Sequence, residues 1–308
     1  MADAFLGLSD LLTVNNGDLS SVELSNILDK APVLAAMAAD TVAATTHKYL
    51  LETAAPTTGF RDVNDGRENT KGTDTTVTVA LEILDATFAV DVALADAYKN
   101  GKEAYIQREL AKHLRSALFV AEGQIINGTI SGDSDGFDGL SDTLVYGHAM
   151  TLDAAGTTAA TGSSVYGIVN SVDEGCALIT GMGGNIDVGD TTVARIDGAT
   201  GTYPAYYTPV TGWLGLQAGN AYSAGRICNL TEDSGKGLTD ALIANFLSAF
   251  PSGKMPDFLA MNRRSVFQLQ ASRTATNATG APAPIPMEAF GVPIIVTDAI
   301  TSVEALLS

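Results

Sequence analysis

Apolar side chains recur at helical spacing in two segments of the first half of the chain. In residues 19–43 the run is interrupted by Pro32, which cannot donate the next helical hydrogen bond, so we expect two short helices with a bend. This segment has too few apolar residues for a core of its own, and we expect it to lie on another surface as an arm. In residues 101–127 the spacing continues up to Asn127-Gly128, which predicts one helix of roughly 39 Å.

A two-stranded ribbon is predicted between these helical segments. Residues Thr75–Leu84 are rich in β-branched side chains in a partly alternating pattern, which is typical of a strand. We expect Phe60–Val63 to pair with it across a polar turn at residues 64–66. An isolated two-stranded ribbon is barely stable in water. We therefore expect this one to lie on a neighbouring subunit.

The second half of the chain mixes strands and helices without regular alternation, which predicts an α+β fold. Segments typical of an antiparallel region are Ser163–Val169, Thr191–Ile196, Tyr203–Val210 and Ala224–Leu230. The later pattern predicts a helix at Leu238–Phe250, a buried strand at Asp257–Met261, a helix up to Arg273 and a final strand at Ala289–Ile300. The proline in that last strand suits a sheet edge or a strand start.

Composition narrows the class of protein. The 308 residues include 17 basic and 35 acidic side chains, a net charge of −18, which argues against a general nucleic-acid-binding module or docking on an anionic membrane. No apolar stretch approaches the ~18–20 residues of a bilayer span, and the first 20 residues lack the features of a signal peptide. We expect a soluble, intracellular protein of one or two domains.

Motifs that carry enzymatic or metal chemistry are not recognisable in the sequence. The three histidines lie in separate elements, and there is no nucleophile elbow, phosphate-binding loop or paired metal-ligand motif. Cys176 and Cys228 are interpreted as buried free thiols, because two cysteines alone supply neither a disulfide framework nor a zinc site. We expect no enzymatic activity, no cofactor and no metal ligand.

One face of the predicted long helix is basic. Between residues 99 and 127 five basic side chains stand against three acidic ones, a local charge of +2 in an acidic chain. Two interpretations remain open: a solvated helix face, or a face turned toward a polyanion. The basic residues are Lys99, Lys102, Arg108, Lys112 and Arg115.

Several short stretches, taken in order, resemble the major capsid proteins of tailed bacteriophages with the Hong Kong 97-like fold. In the first half these are Leu28–Leu34, Thr58–Arg61, Asp91–Ala95 and Phe137–Leu140. In the second half they are Ser164–Ile168, Trp213–Leu216, Arg226–Leu230, Met261–Arg264 and Phe290–Asp298. Each motif alone is weak, but their order and spacing cover nearly the whole chain.

The resemblance implies four structural units. They are an N-terminal arm at residues 1–45, an E-loop hairpin at 46–85, a P domain with a long spine helix at 86–162 and 285–308, and an A domain at 163–284. It also implies a function: a structural subunit that self-assembles into hexamers and pentamers of an icosahedral head shell around double-stranded DNA.

The implied partners are further copies of the chain, a portal, a separate scaffolding protein and, in some relatives, a decoration protein, with no membrane and no cofactor. The implied location is the virion, after assembly in the bacterial host cytoplasm. Residues expected to face the lumen or the DNA are Lys102, Arg108, Lys112 and Arg115. Residues expected between subunits are Leu28, Pro32, Phe60, Arg61 and Lys71. Residues expected in the structural core are Trp213, Arg226, Phe290 and Pro293.

Three other functions remain open at this point. The same fold forms the shells of bacterial encapsulin compartments, which hold a cargo enzyme instead of a genome. An acidic, β-rich surface or adhesion protein would suit the Thr- and Gly-rich middle of the chain. A hydrolase with an unrecognised site is the third alternative.

Overall fold

The computed structural model describes residues 30–129, 136–184, 186–198, 200–277 and 281–308. Helices α1 to α6 span Pro32–Ala36, Val92–Asp96, Lys102–Asn127, Leu140–Thr143, Asp240–Ser248 and Arg263–Ala275. Strands β1 to β8 span Ala39–Thr41, Thr46–Ala54, Thr73–Ala80, Glu82–Asp85, Phe88–Asp91, Thr151–Asp153, Ser163–Ile168 and Cys176–Thr180. Strands β9 to β16 span Asp187–Val188, Thr192–Gly198, Gly201–Thr208, Val210–Ala218, Ala224–Leu230, Phe258–Met261, Glu288–Ala289 and Val292–Val296.

The largest sheet has six strands in the order β15-β16-β14-β7-β13-β6. β7 lies antiparallel to both β13 and β14, and β14 lies parallel to β16. Helix α5 packs closely on this sheet through Phe246. A methyl group added at Gly167 or Gly225 would lie 2.7 or 2.8 Å from the Phe246 ring, so the two glycines permit this close approach.

Two further sheets complete the body of the subunit. One runs β1-β8-β12-β4, with β9 also paired to β12, and the other runs β10-β11-β5. The larger core combines the six-stranded sheet with the C-terminal half of α3, where Ile125 and Ile126 are fully buried. A smaller core lies under the N-terminal half of α3 and includes Tyr105, Phe88 and Val90.

The predicted domain boundaries do not follow the membership of the sheets. β15 and β16 come from residues 285–308, yet they join the same sheet as β7, β13 and β14. β8 and β12 come from residues 163–284, yet they pair with β1 and β4. Sheet partners are therefore drawn from different predicted units of the chain.

The ribbon exists, but its predicted pairing was wrong. β3 pairs with β2, in a register that sets His47 opposite Val79 and Ala54 opposite Thr73, and Phe60–Val63 forms no strand. In β2 alternate side chains are half-buried, at His47, Tyr49 and Leu51, so its pattern is that of a strand with one covered face. Phe60–Val63 holds Arg61 and Asp62 beside its apolar residues and has no such covered face. We call β2, β3 and the intervening residues 55–72 the ribbon.

The long helix agrees with its prediction, because α3 covers all but the first residue of the range 101–127. Two other predicted elements differ in their bounds. Pro32 was expected to interrupt a helical run, and in the structure it begins α1. At the first position of a helix its missing N–H leaves no hydrogen bond unmade. The predicted final strand is divided into β15 and β16, which are joined by Phe290-Gly291.

The two cysteines are buried and unpaired, as expected. Burial raises the pKa of the Cys176 thiol to about 12 and that of Cys228 to about 11, so both remain protonated at neutral pH. Across the described ranges, no helix combines the length and the apolar character that a membrane span requires.

The buried carboxyl group of Glu122 joins three distant segments. Glu122 lies on α3 and is 0% exposed. Its Oε2 accepts hydrogen bonds from the backbone N–H groups of Val33 (2.7 Å) and Leu34 (2.9 Å) at the start of α1. Its Oε1 accepts a hydrogen bond from the Thr297 hydroxyl, just beyond β16. A carboxyl group at this position satisfies the unpaired N–H groups of the first helical turn.

We expect Glu122→Ala to lower the free energy of unfolding by about 2–4 kcal/mol, because buried backbone donors would lose their acceptor. Glu122→Gln should cost less, because the amide oxygen can still accept from α1 while the Thr297 hydroxyl accepts from the amide. Denaturant unfolding of the unassembled subunit measures both. Gln107→Ala, at an exposed position of the same helix, is the control and should change stability by less than about 0.5 kcal/mol.

Candidate assembly surfaces

The base of the ribbon is fixed to the body of the subunit. The Tyr49 hydroxyl donates a 2.8 Å hydrogen bond to the carbonyl of Ala218 at the end of β12. Partial burial at this contact raises the pKa of Tyr49. Val79 packs near Gly215 of β12, where an added methyl group would lie 3.2 Å from the Val79 side chain. The ribbon therefore leaves the body in one direction, set by its contact with β12.

The tip of the ribbon projects into solvent. Residues 55–71 are all exposed, and Phe60 and Val63 have relative exposures of 103% and 89%. Polar contacts order the tip: Arg67 donates to the Thr58 carbonyl at 2.9 Å, and Thr70 donates to the Thr57 hydroxyl at 2.8 Å. An exposed aromatic side chain on an extended tip without a core is typical of a segment that packs on another molecule.

The predicted intersubunit residues occupy different environments. Phe60, Arg61 and Lys71 all lie on the exposed tip. Pro32 is half-buried on the chain's own body, within a helix that is anchored by Glu122. Leu28 lies outside the described residues.

The arm was expected to lack contacts with the chain's own core, and for its described part this expectation was wrong. Val33 is fully buried and Met37 is 8% exposed, both in the larger core. At the far end of α1, Asn170 donates a 2.9 Å hydrogen bond to the Ala36 carbonyl and accepts one from the Ala38 N–H. β1 then pairs in parallel with β8. The single buried valine and the paired β1 backbone account for a docking that apolar spacing alone did not predict.

The basic face of α3 is partly engaged within the chain. The Lys102 ammonium lies 5.4 Å from the centre of the Tyr206 ring, a cation–π contact. Lys112 forms a 2.9 Å ion pair with the buried Glu109. Arg108 is half-buried, whereas Arg115 is exposed and donates to the Ala111 carbonyl of its own helix at 3.3 Å. The positive charge that this face presents is therefore smaller than the sequence count implies.

The four residues expected in the structural core also differ from one another. Arg226 is 5% exposed, its guanidinium donates to Ser164 at 2.9 Å and to Glu304 at 3.1 Å, and it lies over the ring of Tyr166. Trp213 is half-buried. Burial raises the pKa of Tyr166 far above its usual range, although the neighbouring Arg226 charge opposes the shift.

The prediction of a core position was wrong for Phe290 and Pro293. Both are exposed, Phe290 to 58%. The apolar sequence around them suggested a buried strand. In the structure Phe290 lies in the turn between β15 and β16, and Pro293 pairs with Glu288 on the outward face of the resulting hairpin. Phe290 is exposed because it lies in the turn, and Pro293 is exposed because it points away from the face that buries its neighbour Val292.

A polar clasp at the C-terminus was missed by sequence reasoning. Asn229 exchanges two hydrogen bonds with the backbone of Leu307, at 2.8 and 3.0 Å. Asn262 donates to the Ser302 hydroxyl at 2.8 Å, and the Glu304 N–H donates to the Gly162 carbonyl at 2.9 Å. The available signal was an asparagine within β13 and another directly after β14, both in buried segments, since buried amides require partners. The clasp fixes the last residues of the chain to the six-stranded sheet.

Asp233 closes a second polar contact on the same end of the body. Its carboxylate accepts hydrogen bonds from the N–H groups of Thr157 (2.9 Å) and Thr158 (3.1 Å), and from the hydroxyls of Thr157 (3.2 Å), Thr158 and Thr231 (2.9 Å). These bonds, led by the one from the Thr158 hydroxyl, hold the pKa of Asp233 well below its usual range. The contact fastens the loop before β7 to the loop after β13.

A match to a sequence profile identifies the protein family. The sequence profile of the family described as "Major capsid protein GP7" matches residues 22–308. The chain belongs to this family. Sequence comparison with curated proteins gives no significant match.

Solved capsid structures share the fold of this major capsid protein. The structure of bacteriophage Epsilon15 matches with a TM-score of 0.72 and 19% identity, covering 100% of this chain and 98% of that one. The capsid of bacteriophage JBD30 matches with a TM-score of 0.53 and 10% identity, covering 94% and 98% of the two chains. The subunit therefore has the Hong Kong 97-like fold, as the resemblance implied.

Family membership also resolves the choice among functions. The protein is a structural subunit of the head shell of a tailed bacteriophage. The encapsulin, adhesion and hydrolase alternatives are not favoured by the family match. A capsid component belongs to the virion, and a shell is built from many copies of one chain.

We expect acid to weaken the Asp233 contact. Because its pKa is lower in the folded chain than in the unfolded chain, its contribution to stability is complete above the ordinary value of 3.8. That contribution decreases as the pH falls below 3.8 toward the folded pKa. The pH dependence of the urea midpoint between about pH 5 and 3 should therefore be smaller in Asp233→Asn than in the wild type.

Asp173→Asn, at an exposed turn position, is the control and should keep the wild-type pH dependence. If the urea midpoint of Asp233→Asn depended on pH as that of the wild type does, the stabilising role of the Asp233 carboxylate would be contradicted.

Proposed function

We propose that copies of this major capsid protein join through the ribbon tip to form the hexamers and pentamers of a closed icosahedral head shell. The observation that carries the proposal is the contrast between a body with two buried cores and a tip whose Phe60 is entirely exposed. Apolar surface of this kind is stabilised by burial on a neighbour, at roughly 25 cal/mol per Å². Arg61 and Lys71 lie on the same tip, where three basic and three acidic side chains balance over residues 55–72. The tip therefore approaches a neighbour without net charge, in a chain whose total is −18.

The arm has a divided role in this proposal. Residues 31–41 serve the subunit's own body through Glu122, Asn170 and β1, so Pro32 positions the arm instead of touching a neighbour. Leu28 and the residues before Lys30 are left for contacts between subunits. This division gives the remaining arm a fixed point of departure on each copy.

For the interior of the shell we propose that the basic face of α3 is directed toward packaged double-stranded DNA. Arg115 supports this assignment best, because its side chain is exposed on α3. The contact would be weak and independent of DNA sequence, since the acidic subunit repels DNA over most of its surface. Containment of the genome requires no tighter binding.

The remaining assignments follow from the head-shell function. We infer a structural role without enzymatic activity, assembly in the host cytoplasm, and partnership with a portal and a scaffolding protein, with a decoration protein as a further candidate. In domain terms, we assign the ribbon to the E-loop, α3 and the smaller core to the P domain, and the six-stranded sheet with α5 and α6 to the A domain.

The ribbon proposal is tested by replacing residues 55–72 with the dipeptide Asn-Gly between the paired residues Ala54 and Thr73. The unassembled subunit should keep its free energy of unfolding within about 0.5 kcal/mol, because the tip contacts no core. Negative-stain electron microscopy should show closed shells from the wild type and none from this variant. Phe60→Ser, which retains the full length of the ribbon, should also assemble poorly. Closed shells of wild-type diameter from the shortened ribbon would refute the proposal.

The DNA proposal is tested by Arg115→Gln. Losing one phosphate contact should reduce the slope of log binding constant against log salt concentration by about one. Binding of duplex DNA to the unassembled subunit, measured over a range of salt concentrations, gives this slope. Arg195→Gln, at an exposed position on β10, is the matched control and should leave the slope unchanged. An equal decrease of the slope in both variants would contradict the proposal that the basic face of α3 is directed toward DNA.

A further inference from the structure

The turn between β15 and β16 has an unusual occupant. Ala289 pairs with Val292, so Phe290-Gly291 form a two-residue turn, and their φ values are +53° and +81°. A turn with two positive φ angles favours Asn-Gly, Asp-Gly or Gly-Gly, because a side chain on the first residue strains the backbone. Phenylalanine is unsuited to this position.

Phe290 is not compensated by burial within the subunit. Within the described ranges, the other non-glycine residues with positive φ are two asparagines, two alanines and a methionine, so Phe290 is the aromatic among them. It is 58% exposed. The isolated subunit therefore carries a strained turn and an exposed ring. Burial of the ring within the subunit does not offset the strain of the backbone.

The surroundings of Phe290 are apolar and nearly free of charge. Met287 is 77% exposed and Pro293 is exposed on the same hairpin. Residues 281–297 contain one charged side chain, Glu288, in a chain with a net charge of −18. β15 is also the edge strand of the six-stranded sheet. We call residues 287–296 the Phe290 hairpin.

We propose that the Phe290 hairpin is a contact site for a second copy of this chain, with the Phe290 ring buried on the neighbouring subunit. Two copies that each carry −18 approach each other with least repulsion through surfaces of low charge. An aromatic side chain presented by a rigid two-residue turn is suited to anchor an interface, because little conformational freedom is lost on binding.

The occupant is a second copy because the subunits of a closed shell surround one another, and rings of identical subunits use heterologous contacts between different patches. The inference rests on the proposed head-shell assembly and adds a second contact to it, independent of the ribbon tip. The hairpin belongs to the body of the subunit, whereas the ribbon tip extends away from it.

The experiment uses Phe290→Asn in the full chain, because asparagine is favoured at this turn position but removes the apolar ring. The unassembled variant should melt at the same temperature as the wild type or higher. The protein concentration at which half of the chains are assembled should rise at least about tenfold, equivalent to ~1.4 kcal/mol per contact. Light scattering and negative-stain microscopy of the chain alone measure this concentration.

Ala160→Asn is the matched control, because Ala160 is exposed and has a φ of +57° but carries no large apolar side chain. It should assemble like the wild type. Normal assembly of Phe290→Asn beside a normal wild type would overturn the Phe290 contact alone. Loss of assembly together with a lowered melting temperature, or equal losses in Ala160→Asn, would also overturn it. Failure of the wild type to form shells under any condition would overturn the proposed assembly and this contact with it.

Discussion

The arrangement of the subunit depends on one buried acceptor, the carboxyl group of Glu122. It receives the first N–H groups of α1 and the hydroxyl of Thr297, and so joins the arm, the long helix and the end of β16 at one point. Buried donors need hydrogen-bond partners, so the three segments must lie where their donors reach this carboxyl group. The larger core then closes around them, with Val33 and Ile125 fully buried. The rest of the body is built on this fixed connection between distant parts of the chain.

The subunit combines a self-sufficient body with surfaces that are not satisfied alone. Polar contacts at Asp233, Asn229 and Asn262 fasten the loops and the C-terminus to the body through bonds within the chain. The ribbon tip and the Phe290 hairpin instead expose aromatic rings to water. A rigid body with a few exposed apolar contacts is well matched to a closed shell. Each contact can be weak, because every copy makes several of them.

The charge of the chain limits how such contacts can form. With a net charge of −18, copies repel one another, and salt screens this repulsion between charges that lie farther apart than a Debye length, about 10 Å at ~0.1 M ionic strength. Basic side chains are therefore valuable, and the structure uses many of them internally: Arg226 for Glu304, Arg273 for Asp240 and Lys112 for Glu109. Among the exposed basic side chains, Arg61 and Lys71 lie on the ribbon tip and Arg115 lies on α3.

The sequence by itself determined the long helix and the family resemblance. The periodicity of residues 101–127 was enough for α3, and the order of short motifs was enough for the capsid resemblance, because both depend on neighbours along the chain. The tertiary structure alone decided that β3 pairs with β2, that Phe290 is exposed, and that Glu122 and Asn229 hold distant backbone groups. Pairing and burial depend on which residues meet across large sequence separations, and the pattern of apolar positions carries no information on those meetings.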